Sequence, residues 1–207
     1  MPLSPILRLG LRALLWLPLC LALWWLWLKS WLLGLLYVGV ALGVEWLLAD
    51  QAYGLLAQDQ VWLLLSSLML AEDPLRPLVL MLDPLRFTVA FPLFWGLVLA
   101  TPGLARLERC VQLVWGSALL WLLVTALLLI YVQFKLALNV NQQPLMADRP
   151  STDYLLTLPY SALVYYLLGV GRQLAVLVAP TFAPLLLWLY YNHRLLREWW
   201  LTVGRAP

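Results

Sequence analysis

Apolar residues run through this chain in long blocks, separated by short polar or proline-bearing stretches. A helix that crosses a bilayer needs about 20 consecutive, mostly apolar residues. Four blocks come near that length: residues 9–28, 87–105, 110–134 and 165–191. The third is the cleanest, with Gln112, Ser117, Thr125 and Gln133 as its only polar members. In the second, Pro92 stands near the first turn, where a missing N–H costs least. Thr101-Pro102-Gly103 then marks the far end, because Pro and Gly stop helices. In hydrocarbon every backbone group must be paired internally, so each block predicts a helix.

Two further runs are open to more than one reading. Residues 31–49 are long enough to span but carry Glu45 and three glycines. Residues 154–171 are uncharged up to Gly171 but rich in Tyr, with Pro159 inside. Each can span, lie in the interface or extend the neighbouring helix. Between them the stretches 61–70 and 78–82 are short and apolar. Asp-Pro-Leu-Arg occurs at 73–76 and again at 83–86. Asp-Pro opens turns and biases the preceding residue away from the helical region. The stretch 78–82 thus reads as a short strand framed by two turns, with 61–70 as its hairpin partner. Both are too apolar to stand free in water, which predicts that they rest on the membrane or on a partner. Residues 139–153 are plainly polar and read as a solvated loop.

Composition makes the membrane reading firm. Of the 207 residues, 64% are hydrophobic and 11% charged, against about half and a quarter in soluble domains. Thirteen Trp and nine Tyr suit bilayer interfaces. The first block follows Arg8 and Arg12 as a signal peptide would, but it is longer and ends in Trp24, Trp25 and Trp27. Cleavage sites need small residues, so we expect an uncleaved first span. With four spans and both termini cytoplasmic, Arg8, Arg12, Arg106, Arg109, Arg194, Arg197 and Arg205 lie inside. They sit in short segments, whereas the other six basic residues are spread over long outer ones. The positive-inside rule counts short loops, and on that basis four spans are preferred to six. The expected fold is an all-α integral membrane protein of about four helices. Its outer segments, about 29–86 and 135–164, would carry a short β-hairpin and interfacial helices.

Candidate chemistry is sparse. A net charge of +3 is too small and scattered for a nucleic-acid footprint. Cys20 and Cys110 have no second ligand set beside them, so no metal or cofactor is expected. His193, the only histidine, has no acid or nucleophile near it in sequence. Asn192-His193-Arg194 reads as a headgroup contact. Ionisable groups in apolar runs are functional hypotheses. That singles out Glu45 as a proton or cation site, and Arg172 with Gln173 as a grip for a lipid headgroup, a carboxylate or an acidic partner. Pro180 and Pro184 each remove a backbone bond, so the fourth span should bend and form a groove. Gly39 and Gly43 form a small-xxx-small pair suited to close helix approach.

The stretches "LRALLWLPLCLALWW" (11–25), "LVLMLDPLRFTVAFPLFWGLVLATPG" (78–103) and "GRQLAVLVAPTFAPLLLWLYYNHRLL" (171–196) resemble the exosortase H-associated membrane proteins of Gram-negative bacteria. Exosortases are cysteine transpeptidases of the bacterial inner membrane that process proteins with a C-terminal sorting signal. The resemblance implies a place beside such an enzyme: a non-catalytic accessory protein that stabilises the transpeptidase or presents its substrate. Enzymatic activity does not transfer, since Cys20 and Cys110 stand at positions that do not match an outer-face Cys, Arg and His set. The competing expectation is a small transporter, a channel subunit or a lipid-binding protein using Glu45 and Arg172.

Overall fold

Nothing in the sequence between Pro18 and Leu47 breaks a helix, and the helix that begins at Pro5 does not end with the first apolar block. In the computed structural model, which describes residues 5–58, 60–70, 73–142, 145–147 and 160–203, α1 (Pro5–Leu23) passes through one π-helical turn (Trp24–Leu28) into α2 (Lys29–Leu47). Ile6–Leu47 is a single helix of 42 residues, roughly 63 Å at about 1.5 Å per residue. Of the readings open for residues 31–49, extension of the neighbouring helix is the one found. The wide turn places Trp24 inside and leaves Trp25 and Trp27 facing out.

The segment after α2 is a sheet, and the fold is therefore not all-α. β1 (Ala52–Gln58), β2 (Val61–Leu70) and β3 (Asp73–Leu82) form antiparallel neighbours in that order. The expected hairpin is β2–β3, with Leu63 opposite Met81 and Leu65 opposite Val79. β3 starts earlier than expected, because its first Asp-Pro lies inside the strand. Pro74 and Pro77 are tolerated there because β3 pairs with β2 alone among the described strands. The stretch expected as a solvated loop contributes β4 (Leu145–Ala147), which takes the edge of β2 that β1 leaves free. Residues 143–144 and 148–159, the rest of that loop and the start of the 154–171 run, lie outside the described residues.

Burial alternates along β2: Trp62, Leu64, Ser66 and Leu68 point into the core with Leu80 and Leu82 of β3. That face rests on α2. Tyr37 stands edge-on to Trp62 at 5.6 Å and donates its hydroxyl to the Leu55 carbonyl at 2.6 Å. Ser66 and Ser67 donate to the carbonyls of Gln51 and Asp50, both at 2.9 Å, and fix the sheet to the end of α2. The opposite face exposes Tyr53, Leu56, Val79 and Met81.

After α3 (Leu85–Thr88), the second apolar block gives α4 (Ala90–Ala100). It ends where expected, with Thr101 extended and Gly103 at φ +87°, a left-handed conformation open to Gly. Leu85–Ala100 is short for a crossing, and it is wrapped by protein. Phe87, Ala90, Phe91, Phe94 and Val98 are all fully buried. α5 (Arg106–Gln142) follows, with the Glu108 carboxylate accepting from the Ala105 N–H at 3.1 Å. The last block is not straight. α6 (Ala162–Gln173), a π turn (Leu174–Val178) and α7 (Ala179–Val203) enclose a bend of 73° between Ala162–Leu177 and Pro180–Trp199.

Two helices are therefore long and apolar enough to cross a membrane, Ile6–Leu47 and Arg106–Val140, and the bent pair makes a third if it is one span. Side-chain contacts set their directions. Leu17 meets Gly96 and Trp24 meets Thr88, so α1 and α4 are antiparallel. Phe94 meets Gly116 and Arg109 reaches Thr101, so α4 and α5 are antiparallel. Phe134 stacks on Tyr165, and Gln112 pairs with Asn192, which run α6 and α7 back down α5.

Glycines make the closest of these approaches. A methyl at Gly39 would lie 2.7 Å from Cζ2 of Trp121, and one at Gly43 2.5 Å from Leu129, as the small-xxx-small spacing suggests. A methyl at Gly116 would overlap the buried Phe94 ring. Gly34, in contrast, has open space. Gly116→Ala should destabilise the detergent-solubilised protein by about 1–3 kcal/mol through overpacking. Gly34→Ala should be neutral or stabilising by up to about 1 kcal/mol, as expected for helix propensity. Thermal unfolding of both variants in one detergent reads the difference.

Candidate interaction surface

The bend in the last block is the feature that the prolines foretell. Pro180 and Pro184 are both buried on the inner side of α7. Neither can donate to the carbonyl four residues back. Past the bend, α7 leans on α5 and leaves an apolar groove of about 320 Å³ between Leu119 and Leu123 on one helix and Ala183, Leu186 and Tyr190 on the other. Leu186 and Tyr190 are strongly exposed.

Arg172 lies at the end of α6, half-buried, with its guanidinium 5.1 Å from the centre of the Phe134 ring. A cation over an aromatic face is stabilised there without a counter-ion. Gln173 is exposed beside it. Glu45 is exposed on α2, two residues beyond Gly43. Gly43 packs on Leu129 and Gly171 on Ile130, so Glu45 and Arg172 flank the same level of α5 from different helices. No ion pair among the described residues joins them; the one between described side chains, Arg86 with Asp83 at 2.9 Å, is exposed and local. The structure thus brings Arg172, Gln173 and the bend together and leaves Glu45 apart.

Two further polar groupings carry more of the packing than these candidates. At the end of the bundle near Arg109, Gln112 and Asn192 exchange amide hydrogen bonds at 3.3 Å, both buried. Asn192 also donates to the Trp188 carbonyl at 2.9 Å. Asn192 is therefore an interhelical contact and not a headgroup ligand, whereas His193 stays exposed with Nδ1 2.7 Å from the Tyr190 carbonyl. Next to this pair the Trp188 indole donates to the Thr101 hydroxyl at 2.8 Å, and Arg109 donates to the Thr101 carbonyl at 3.1 Å. At the sheet end, Gln133 donates to Tyr160 at 2.9 Å, and Tyr160 donates to Gln51 at 3.2 Å. Burial raises the Tyr160 phenol above its ordinary value. The sequence offers one signal for both groupings: amides inside apolar helices, which find partners across helices.

Cys20 is buried and Cys110 exposed, and both are free. Among the described residues no group of His, Cys, Asp and Glu has the arrangement to hold a metal ion.

A family model described as exosortase H-associated membrane protein matches residues 3–195. No curated protein and no solved structure matches the chain.

Asn192→Leu leaves the Gln112 amide without its partner in an apolar interior. The expected cost is about 0.6–1.7 kcal/mol. The double variant Gln112→Leu/Asn192→Leu should cost less than the sum of the single changes, because it removes both halves of the pair. Unfolding in mixed micelles measures all three; strict additivity would show that the pair contributes nothing.

Proposed function

Since the chain belongs to the exosortase H-associated membrane protein family, we propose that it is a non-catalytic accessory protein of an exosortase sorting system in the bacterial inner membrane. It stabilises the transpeptidase or presents the substrate's membrane segment to it. The observation that carries this reading, beside the family match, is the length and surface of the first helix. Its roughly 63 Å is about twice the ~30 Å hydrocarbon thickness. Its second half nonetheless turns an apolar stripe outward, through Leu35, Val38, Leu42 and Trp46, with Trp46 83% exposed. An apolar stripe that runs on past the bilayer is a surface for another protein. The groove at the bend of α7 offers a second contact at membrane depth.

In this reading the chain crosses the membrane four times, with both termini cytoplasmic. The antiparallel order of α1, α4, α5 and α7 supports it. So does the distribution of charge: there is none between Arg12 and Lys29, Arg86 and Arg106, Arg109 and Lys135, or Arg172 and Arg194. The basic ends of these intervals then form two layers, as interfacial anchors do. The short α4 crosses inside a jacket of protein.

The native cysteines test the orientation. Cys110 is exposed beside Arg109 and Cys20 is buried. A membrane-impermeant maleimide should label Cys110 in inverted vesicles and leave it unlabelled in spheroplasts. The reverse pattern would invert the topology. The partnership is tested by photo-reactive residues at Val38, in the stripe, and Leu186, in the groove. Crosslinks to the exosortase or to a sorting-signal substrate are expected at one or both sites in native membranes. Adducts to lipid alone, or to a second copy alone, would sink the accessory reading.

A further inference from the structure

A cavity of about 850 Å³ lies where α2 begins and meets the tip of the β1–β2 hairpin. Its size is within the range of about 300–1,000 Å³ usual for small-molecule sites. Lys29 and Ser30 line it from the helix, Gln58 and Gln60 from the hairpin, and Tyr37 and Met81 supply apolar wall. Residues that carry one ammonium, one hydroxyl and two amides thus line a single space. The Lys29 ammonium is 4.4 Å from the centre of the Trp25 ring, which steadies a cation but does not neutralise it.

Position identifies the ligand. Trp25, Trp27 and Trp31 surround Lys29 on the same two turns and are strongly exposed. Amphipathic indoles settle at headgroup depth. The cavity accordingly opens in the layer where phosphate groups are most concentrated. We propose that it binds one anionic phospholipid, with the phosphate on Lys29 and Ser30, the headgroup hydroxyls on Gln58 and Gln60, and the first acyl carbons along Tyr37 and Met81. The site does not depend on the exosortase reading. An acidic peptide would also suit the ammonium, but the tryptophans favour a ligand already held at that depth.

The test is native mass spectrometry of the full chain in micelles titrated with phosphatidylglycerol or phosphatidylcholine. Wild-type protein should retain one phosphatidylglycerol in preference to phosphatidylcholine. Lys29→Ala should weaken that retention about tenfold. Lys135→Ala, whose ammonium lies over Tyr131 on another helix, should leave it unchanged. Thermal unfolding confirms that both variants stay folded. Equal retention of the two lipids, an equal loss in both variants, or displacement of the adduct by glycerol phosphate alone would each overturn the proposal.

Discussion

Three indole–hydroxyl hydrogen bonds hold the central helix, and the rest of the bundle is arranged around it. Trp24 of the first helix donates to Thr88 at the end of α3, which leads into α4, Trp95 of α4 donates to Ser117 of α5, and Trp188 of α7 donates to Thr101 just past the end of α4. Each bond joins α4, or a segment directly before or after it, to a different helix. In lipid there is no hydrophobic force between helices, so association rests on close packing and interhelical hydrogen bonds. α4 has both. Gly96 admits Leu17 of α1, and Phe94 enters the space left by Gly116 of α5. The indoles lock the height of each neighbour, and the glycines set its distance.

This arrangement explains why the second apolar block departs from an ordinary spanning segment. A helix facing lipid must cover the hydrocarbon by its own length. A helix enclosed by three others can be shorter, since its neighbours meet the lipid and its ends are bonded within the protein. Two helices take the opposite course. The continuous helix Ile6–Leu47 and α5 are longer than a crossing needs, and their surplus carries the sheet, through Ser66 and Ser67 at the end of α2 and the core face of β2 and β3.

Local patterns in the sequence were enough for some of this. The long α5, the stop after Ala100, the β2–β3 hairpin, the bend near Pro180 and the close approach at Gly39 and Gly43 each follow from spacing or from a single breaker residue. What was not legible depends on partners far along the chain. β4 becomes a strand because β2 has an unpaired edge, not because Leu145–Ala147 has strong preferences. Asn192 looks like part of a polar helix end and is buried only because Gln112, 80 residues away, faces it. Pro180 and Pro184 lie at and just past a bend that backbone chemistry predicts. The ring partner of Arg172, Phe134, comes from another helix and leaves no local trace in the sequence.

The enclosure of α4 also has a consequence for the order in which the protein is made. Ribosomes deliver the helices to the membrane in sequence, and α4 arrives before α5 and α7 exist. Until they do, its fully buried Phe91 and Phe94 face lipid or a chaperone, and Thr101 lacks both its indole donor and Arg109. The last helix supplies that indole. The finished bundle is therefore closed by a segment that emerges after both α4 and α5, and a nascent chain stopped short of Trp188 would leave its central helix open on one side.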